Sequence, residues 1–518
     1  MFRSLPVLLL TFVTLTVYAT NVKRYDVYEH TITHSSSAIS NVWEDVTVAV
    51  KLTAPSGKTF SIGGFYYDTN TWKFRFSPNE TGTWNWEYSI NSSGKKSGTF
   101  NCVASDNPGC IKLNPDNPYR WVHDNGEPFY VFGTQDCIEF SKYSFNELAE
   151  KNWKAGGSDN LTFDEYLDVF QACGFNLWRL NNGNCSPKLI VKLDPAGNSY
   201  DAKIGRLFDK YAQKIRAHGM RIFNVIFEWS IPFAKETSNT AKMDALKRYV
   251  TYFINRYGAY TDFWELANEY KAKDYNDKLI DILAEHVKKV DPYQPSFVSV
   301  SWQRDDIASL DIISPHAYIS PQPASFETGL LNKINQWKKK NKPIIYGELG
   351  NYNCSHENLS TFRWRVIMWS LFFSEASGIF WHQHSTDYCP NSAANLYLHP
   401  DLQKYFKYYT DWRAGFDSKA KPGNVSTTVD NVRIYSLTGP KHYGLYIFDY
   451  SSYDKIRTGL KVTIAPQGTG SGTWANPKTG EDIDSFIITK SGAQTVTVPD
   501  FKADIALKIT LQPTSIRN

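Results

Sequence analysis

Between residues 21 and 107 apolar and polar side chains alternate in short runs: VTVAVKL (46–52), FSIGGFYY (60–67), WKFRFSP (72–78), TWNWEYSI (83–90) and SGTFNCVAS (97–105). A period of two marks strands with one buried face. Gly, Pro, Asn and Ser break the runs, and FSPNETGTW (76–84) forms a turn between two aromatic strands. The pattern predicts a β-sandwich of immunoglobulin type over 21–107. A Pro- and Asn-rich segment, DNPGCIKLNPDNPYRW (106–121), marks a boundary.

From 112 to 417 the period switches repeatedly between two and 3.6. Eight apolar runs read as strands: PFYVFGTQD, FNLWRLNN, MRIFNVIFE, DFWELANE, FVSVSW, DIISPHAY, PIIYGELG and GIFWHQ. Helical patterns lie between most of them, including LTFDEYLDVFQACG, RLFDKYAQKIRAHG, MDALKRYVTYFINRYG and DKLIDILAEHVKKVD. Several end in Gly, as helix C-termini prefer. The link between the fifth and sixth strands is short and shows no helix. Eight strand–helix units in this length predict a (β/α)₈ TIM barrel. No Gly-rich phosphate motif follows the first strand, which argues against a dinucleotide fold. Residues 424–515 return to short strands (VRIYSLTG, HYGLYIFDYS, GLKVTIAP, DSFIITKS, AQTVTVPDF, DIALKITL) and predict a second β-sandwich.

A length of 518 residues suits this three-domain reading. The net charge of +4, with 21% charged residues, implies no strong electrostatic partner, and no clustered basic face suggests nucleic-acid binding. Residues 1–19, MFRSLPVLLLTFVTLTVYA, read as a secretory signal: a basic start, a short apolar core and a small residue at Ala19. That core is too short for a membrane span, so a secreted, extracellular monomer is expected. Seven cysteines in such a chain permit disulfides. Cys102 and Cys110 could staple the first linker. Cys137 with Cys185, and Cys354 with Cys389, follow neighbouring barrel strands, and Cys173 reads as buried and free. N-x-S/T sequons at Asn79, Asn91, Asn160, Asn184, Asn353, Asn358 and Asn424 allow glycosylation.

The candidate chemistry sits on two glutamates. Glu269 ends TDFWELANE and Glu348 sits in KPIIYGELG, each where an apolar strand should stop. In a (β/α)₈ barrel the C-terminal strand ends carry the chemistry. Two carboxyls on two such ends are what a retaining glycosidase needs, one as acid/base and one as nucleophile. Either glutamate alone could instead be a solvated strand-end residue or half of a structural ion pair. The 16 Trp, 32 Tyr and 31 Phe offer flat apolar platforms that suit sugars, although β-rich domains use them too.

With these residues in view, the barrel resembles clan A of the glycoside hydrolases, retaining (β/α)₈ enzymes that include cellulase and mannanase families. The resemblance implies that Asn268-Glu269, ending strand 4, supplies the acid/base Glu269 and an Asn268 that binds the sugar 2-hydroxyl. It implies that Glu348, ending strand 7, is the nucleophile. Arg179 in NLWRLNN would orient and help ionise it, His316 and Tyr318 in SPHAY match a strand-6 His-x-Tyr, and Trp381 in IFWHQ matches a strand-8 platform. Many members carry a His near the end of strand 3; this chain has Glu228-Trp229 there, so its reacting-sugar subsite differs. The first sandwich and its lead-in to strand 1 are similar to a group of secreted, mostly microbial clan-A-like hydrolases, and the last sandwich resembles the domain that closes apiosidase-like barrels.

Three more strand-end residues are candidates for holding sugar: Asp136, Glu228 and Trp302. The alternative for Arg179 is a structural pair with a barrel carboxylate, for His316 and Tyr318 a satisfied polar pair in the wall, and for Trp381 a place in the core. His382 and His384 form an H-x-H pair without a matching third ligand, so no metal is expected, and the glycosidase reading needs no cofactor. The expected partner is a poly- or oligosaccharide. Two rival readings are a non-catalytic carbohydrate-binding protein that kept the barrel, and an adhesive protein built on its sandwiches.

Overall fold

The computed structural model of the chain describes residues 20–136, 153–155, 159–183, 186–227, 230–269, 276–301, 307–319, 322–351, 360–382 and 400–512. Its centre is a curled eight-stranded parallel sheet. The strands are β1 (Phe132–Asp136), β2 (Leu177–Leu180), β3 (Arg221–Phe227), β4 (Phe263–Ala267), β5 (Val298–Ser299), β6 (His316–Ile319), β7 (Ile344–Asn351) and β8 (Ala376–His382). They lie in the order β5-β4-β3-β2-β1-β8-β7-β6. A parallel bridge between Ser301 and Ser314 joins the two ends and closes the barrel. Helices α1 (Phe163–Ala172), α2 (Ala202–Ala217), α3 (Thr240–Tyr257), α4 (Asp277–Val290), α5 (Thr328–Trp337), α6 (Ser360–Phe373) and α7 (Pro400–Arg413) surround it. Local chemistry starts them: Thr162 and Glu165 form a capping box on α1, and Asp201, Asn239 and Asn276 cap α2, α3 and α4.

Strand alternation sorts the side chains. Trp178, Ile222, Trp264 and Tyr346 point outward into the core shared with the helices. Leu177, Phe223, Phe263, Ile345 and Ile379 point inward as an apolar floor. A small antiparallel sheet of Ile111–Asn114, Asn117–His123 and Pro128–Phe129 seals that floor from below. Its Trp121 meets Phe263 and Phe297 edge-on at 4.9 and 4.8 Å. This plug is absent from the sequence reading, because its Pro and Asn residues look like a linker. Helix α7 was also missed, its LQKYFKYYTDWR being crowded with Lys and Tyr. The fifth strand is only Val298–Ser299, shorter than FVSVSW suggested, and no helix joins β5 to β6 among the described residues.

Before the barrel, a five-stranded and a three-stranded sheet face each other around Trp72, Phe74, Trp84 and Phe100. After it, a six-stranded and a three-stranded sheet enclose Tyr443, Leu445, Trp474 and Ile509. The last sandwich docks on α6, where Tyr446 stacks on Trp369 at 5.4 Å and Arg365 forms a bidentate pair with Asp504.

Cys102 and Cys110 are not joined: Cys102 turns into the sandwich core, whereas Cys110 is exposed, so the expected staple does not form. Cys173 is buried and free as expected, its thiol pushed up to about 12 by burial. The Cys137–Cys185 and Cys354–Cys389 pairings and the signal segment 1–19 lie outside the described residues. Among the described residues, no helix is long and apolar enough to cross a membrane.

Candidate active site

Arg179 points into the barrel because parity demands it. Leu177, two residues earlier, joins the floor, while Trp178 and Leu180 pack outward. Parity likewise turns Glu265 inward on β4, two residues after Phe263. The two meet above the floor. Arg179 Nε donates to Glu265 Oε2 at 2.7 Å and Nη2 to Oε1 at 2.5 Å. Its other N–H groups reach Glu348 Oε1 (3.0 Å), Asn268 Oδ1 (2.8 Å) and Gln135 Oε1. All five guanidinium donors are thereby matched. Burial opposes the charge on Arg179, but Glu265 and then Glu348 outweigh it and hold the group above its ordinary pKa.

Glu348 faces the same space through a bulge. Tyr346 and Leu349 both pack outward although they are three residues apart, and β7 shifts register against β8 between them. The extra residue re-aims the strand and turns Glu348 inward, as bulges beside active sites do. Gly347 makes room for this. A Cβ there would lie 2.7 Å from Ser314 Oγ and 3.3 Å from His316 Nε2. His316 on β6 is the register partner of Glu348.

Glu269 follows β4 in a left-handed conformation, φ 47°. Such a φ costs a non-glycine residue about 1–3 kcal/mol and persists where the surroundings over-determine it. Ser301 does so here. Its Oγ accepts the Glu269 backbone N–H at 2.6 Å and donates to Asn268 Oδ1 at 3.2 Å. The residue that closes the barrel thus also fixes the Asn-Glu pair. Because Arg179 can only donate, Asn268 Oδ1 faces it and the amide NH₂ turns away.

These elements converge on one cluster. His316 Nδ1 lies 3.3 Å from Glu269 Oε1 and 3.3 Å from Glu348 Oε2. One carboxylate oxygen of Glu269 and one of Glu348 lie within 4.8 Å of each other and of the imidazole. The Tyr318 hydroxyl donates to Glu348 Oε2 at 3.1 Å. Burial, then the charges of Glu348 and Glu269, push its pKa above the ordinary tyrosine value. Glu348 and His316 are buried, Glu269 is partly exposed, and Tyr318 is 47% exposed, so the cluster opens on the Tyr318 and Glu269 side.

Of the sequence candidates, Glu269, Glu348, Asn268, Arg179, His316 and Tyr318 therefore come together. Asp136 ends β1 opposite His382, the last residue of the adjacent β8, and Trp381 precedes His382 and pairs in register with Gln135. Glu228, Trp302 and His384 lie outside the described residues. The sequence reading missed Glu265, Gln135 and Ser301. Glu265 left a signal: a carboxylate at an inward position of an otherwise apolar strand needs a buried partner.

A family model described as a domain of unknown function, DUF5060, matches residues 21–91. No curated protein matches the sequence. Among solved structures, the chain is similar to one from Bacteroides vulgatus described as a candidate glycoside hydrolase. The two are 16% identical with a TM-score of 0.67, over 95% of this chain and 99% of that one. It is also similar to a glycoside hydrolase family 5 protein from the same organism, 14% identical with a TM-score of 0.54, over 78% of this chain and 94% of that one. A structure described as a glycoside hydrolase gives 15% and 0.57, over 78% and 97%. At these identities the likeness establishes the shared fold: a barrel flanked by sheet-rich regions.

Proposed function

We propose that this chain is a secreted retaining glycoside hydrolase that cleaves β-glycosidic bonds of a poly- or oligosaccharide by double displacement. The observation that carries the reading is the pairing of Glu269, just past the end of β4, with Glu348, inside β7, one oxygen of each lying within 4.8 Å of the other. Retaining enzymes hold their two carboxyls about 5–5.5 Å apart, whereas inverting ones leave room for a water at about 6.5–9.5 Å. The surroundings differentiate the two groups. Glu348 accepts from Arg179 on one oxygen and Tyr318 on the other. Glu269 makes no such contact with Arg179 and is the more exposed.

In this reading a Glu348 oxygen attacks the anomeric carbon while Glu269 gives its proton to the departing oxygen. The glycosyl ester that forms is then attacked by water, whose proton returns to Glu269 as the Glu348 carboxylate leaves. Arg179 remains neutralised by Glu265 when Glu348 becomes an ester, so it does not lose its only counter-ion. The Asn268 NH₂ is the natural donor to a sugar hydroxyl. Secretion rests on the signal-like segment 1–19. The likeness in fold to solved glycoside hydrolases agrees with the reading.

The test is reducing-sugar release from a polysaccharide panel, followed by NMR of the first product. Retention of anomeric configuration is expected; inversion would overturn the mechanism, and no release from any glycan would favour the binding-protein reading. Glu269→Gln should slow the natural polymer by roughly 10²–10⁴-fold. It should partly spare the first step on aryl glycosides, whose leaving groups need little protonation.

A further inference from the structure

We infer that the junction between α7 and the last sandwich is a second carbohydrate site, which takes a short stretch of a neutral saccharide apart from the barrel mouth. The junction leaves a cavity of about 340 Å³. That is at the small end of ligand pockets, about 300–1,000 Å³. Trp369 of α6 and Tyr408 and Asp411 of α7 line one side; Thr473, Asp482 and Lys508 of the sandwich line the other. The mouth and this junction share no residue.

The lining carries an unmet donor. Trp369 is only 1% exposed, and its indole N–H has no hydrogen-bond partner. Such a donor is costly to leave buried and unpaired. The ring cannot easily turn to find one, since it stacks on Tyr446 and meets Trp412 edge-on at 4.9 Å. A sugar hydroxyl or ring oxygen in the cavity is an acceptor of the right kind. Lys508 adds further donors. One of its N–H groups goes to the Trp412 carbonyl at 2.6 Å, and no other acceptor among the described residues takes the remaining two. Burial lowers the pKa of this ammonium, as expected of a group short of partners. Asp411 and Asp482 supply acceptors for hydroxyl protons.

An apolar platform completes the set. Tyr408 is partly exposed and, unlike Trp412 on the same helix, meets no other ring among the described residues. The turn 476–480 lies against it: Gly480 has φ 77°, and a Cβ there would stand 2.4 Å from Tyr408 Cδ1. The Gly480 N–H closes that turn on the Asn476 carbonyl at 2.8 Å, so the ring is held in place before any ligand arrives. Aromatic faces suit the apolar faces of sugars. The charges favour a neutral ligand over a phosphate or a cation, because Asp411 pairs with Lys407 and Asp482 opposes Lys508.

Binding here is argued from these groups alone; only its benefit to turnover rests on the proposed activity. The experiment is calorimetric titration of the full-length Glu348→Gln protein with cellohexaose, xylohexaose and mannohexaose. At least one is expected to bind at this junction, beside any binding at the mouth. Tyr408→Ala, introduced into that protein, should weaken this event about tenfold or more, the loss typical of an aromatic anchor. Trp369→Phe, which keeps an aromatic ring and removes the N–H, should weaken it several-fold. Unfolding curves of both variants check that the fold is kept. No binding of any of the three, or unchanged affinity in either variant, overturns the site. If the wild type hydrolyses a polymer, Tyr408→Ala alone should raise KM on it several-fold, because two linked contacts hold one chain, and should leave kcat on an aryl glycoside unchanged. A fall in that kcat would overturn the separation from the mouth. Binding at the junction without release of any sugar would sink the hydrolase reading and leave this site standing.

Discussion

At the mouth of the barrel one arginine is shared by two carboxylates; at the seam between the N-terminal sandwich and the barrel one carboxylate is shared by two arginines. Asp209 on α2 accepts from Arg75 of the sandwich (2.7 Å) and from Arg256 of α3 (3.1 and 2.7 Å). Arg75 also bonds Glu29 and the Arg256 carbonyl. Arg256 crosses α2 over Gly205, where a Cβ would lie 2.7 Å from its guanidinium carbon. Both clusters are buried and well bonded, and their roles diverge on which sign is in surplus and which atoms face outward. The seam closes on itself: both oxygens of Asp209 are taken, and Asp209, Arg75 and Arg256 are all buried. The mouth leaves Glu348 Oε2 beneath a half-exposed tyrosine, next to a second carboxyl. Buried charge alone therefore does not mark a candidate site; buried charge with an outward edge beside a second carboxyl does.

The comparison breaks most visibly if Glu348 proves dispensable. Glu348→Gln keeps an oxygen for Arg179 but cannot attack as an anion. Turnover should fall by about 10³-fold or more while the thermal unfolding curve stays close to wild type. Near-normal turnover would return the mouth to the same structural class as the seam.

The converse variant is Asp209→Ala. It strands Arg75 and Arg256 without their counter-charge, and breaking a buried pair in this way costs about 3–5 kcal/mol. Chemical denaturation should show that loss, while kcat per folded molecule stays unchanged because no atom of the mouth is touched. Stability within 1 kcal/mol of wild type, on the scale of an exposed pair, would remove the seam as glue.

The two regions also differ in how far the sequence discloses them. Glu269 and Glu348 announce themselves, because each follows an apolar run that feeds the C-terminal face of a barrel, although β7 runs on past Glu348 to Asn351 where the sequence reading had the strand stop. Arg179 and His316 follow from the same logic. Glu265 did not, although it takes two of the five donors of Arg179: its partner lies 86 residues away. The bulge that turns Glu348 inward is equally hidden, since strict alternation from Ile345 would have placed it outward. Ser301 looks like any strand serine until the barrel closes through it. The seam was wholly illegible, as Arg75 and Asp209 are 134 residues apart and belong to different layers. The local period reports which face a residue occupies; it carries no information on which opposite charge waits there.

Tyr318→Phe sharpens the outward edge. The hydroxyl donates to Glu348 Oε2, and hydrogen bonds to charged groups contribute about 1.5–3 kcal/mol. Its loss should lower kcat roughly 10- to 100-fold with little change in melting temperature, since the ring is already half-exposed. A change in KM alone would mean that the hydroxyl serves substrate rather than Glu348.

The smallest effect separates the clusters by acid. Burial would raise the Asp209 pKa, but Arg256 and Arg75 outweigh it and lower the group from its ordinary 3.8 to about 2. A carboxylate whose folded value is depressed contributes stability that is fully present above its unfolded pKa and is lost as pH falls through the folded one. The window thus runs from about pH 4 down to about pH 2, and the loss across it is on the order of 1–2 kcal/mol. Denaturant titrations of wild type and Asp209→Asn at stepped pH should diverge above this window and converge toward its lower end, because the variant has no carboxylate left to protonate. Parallel curves throughout would mean that other carboxylates set the acid limb and that Asp209 is ordinary in both states. Glu348→Gln, carried through the same titrations, supplies the contrast. Its acid limb should keep the Asp209 window intact, since the seam and the mouth share no residue.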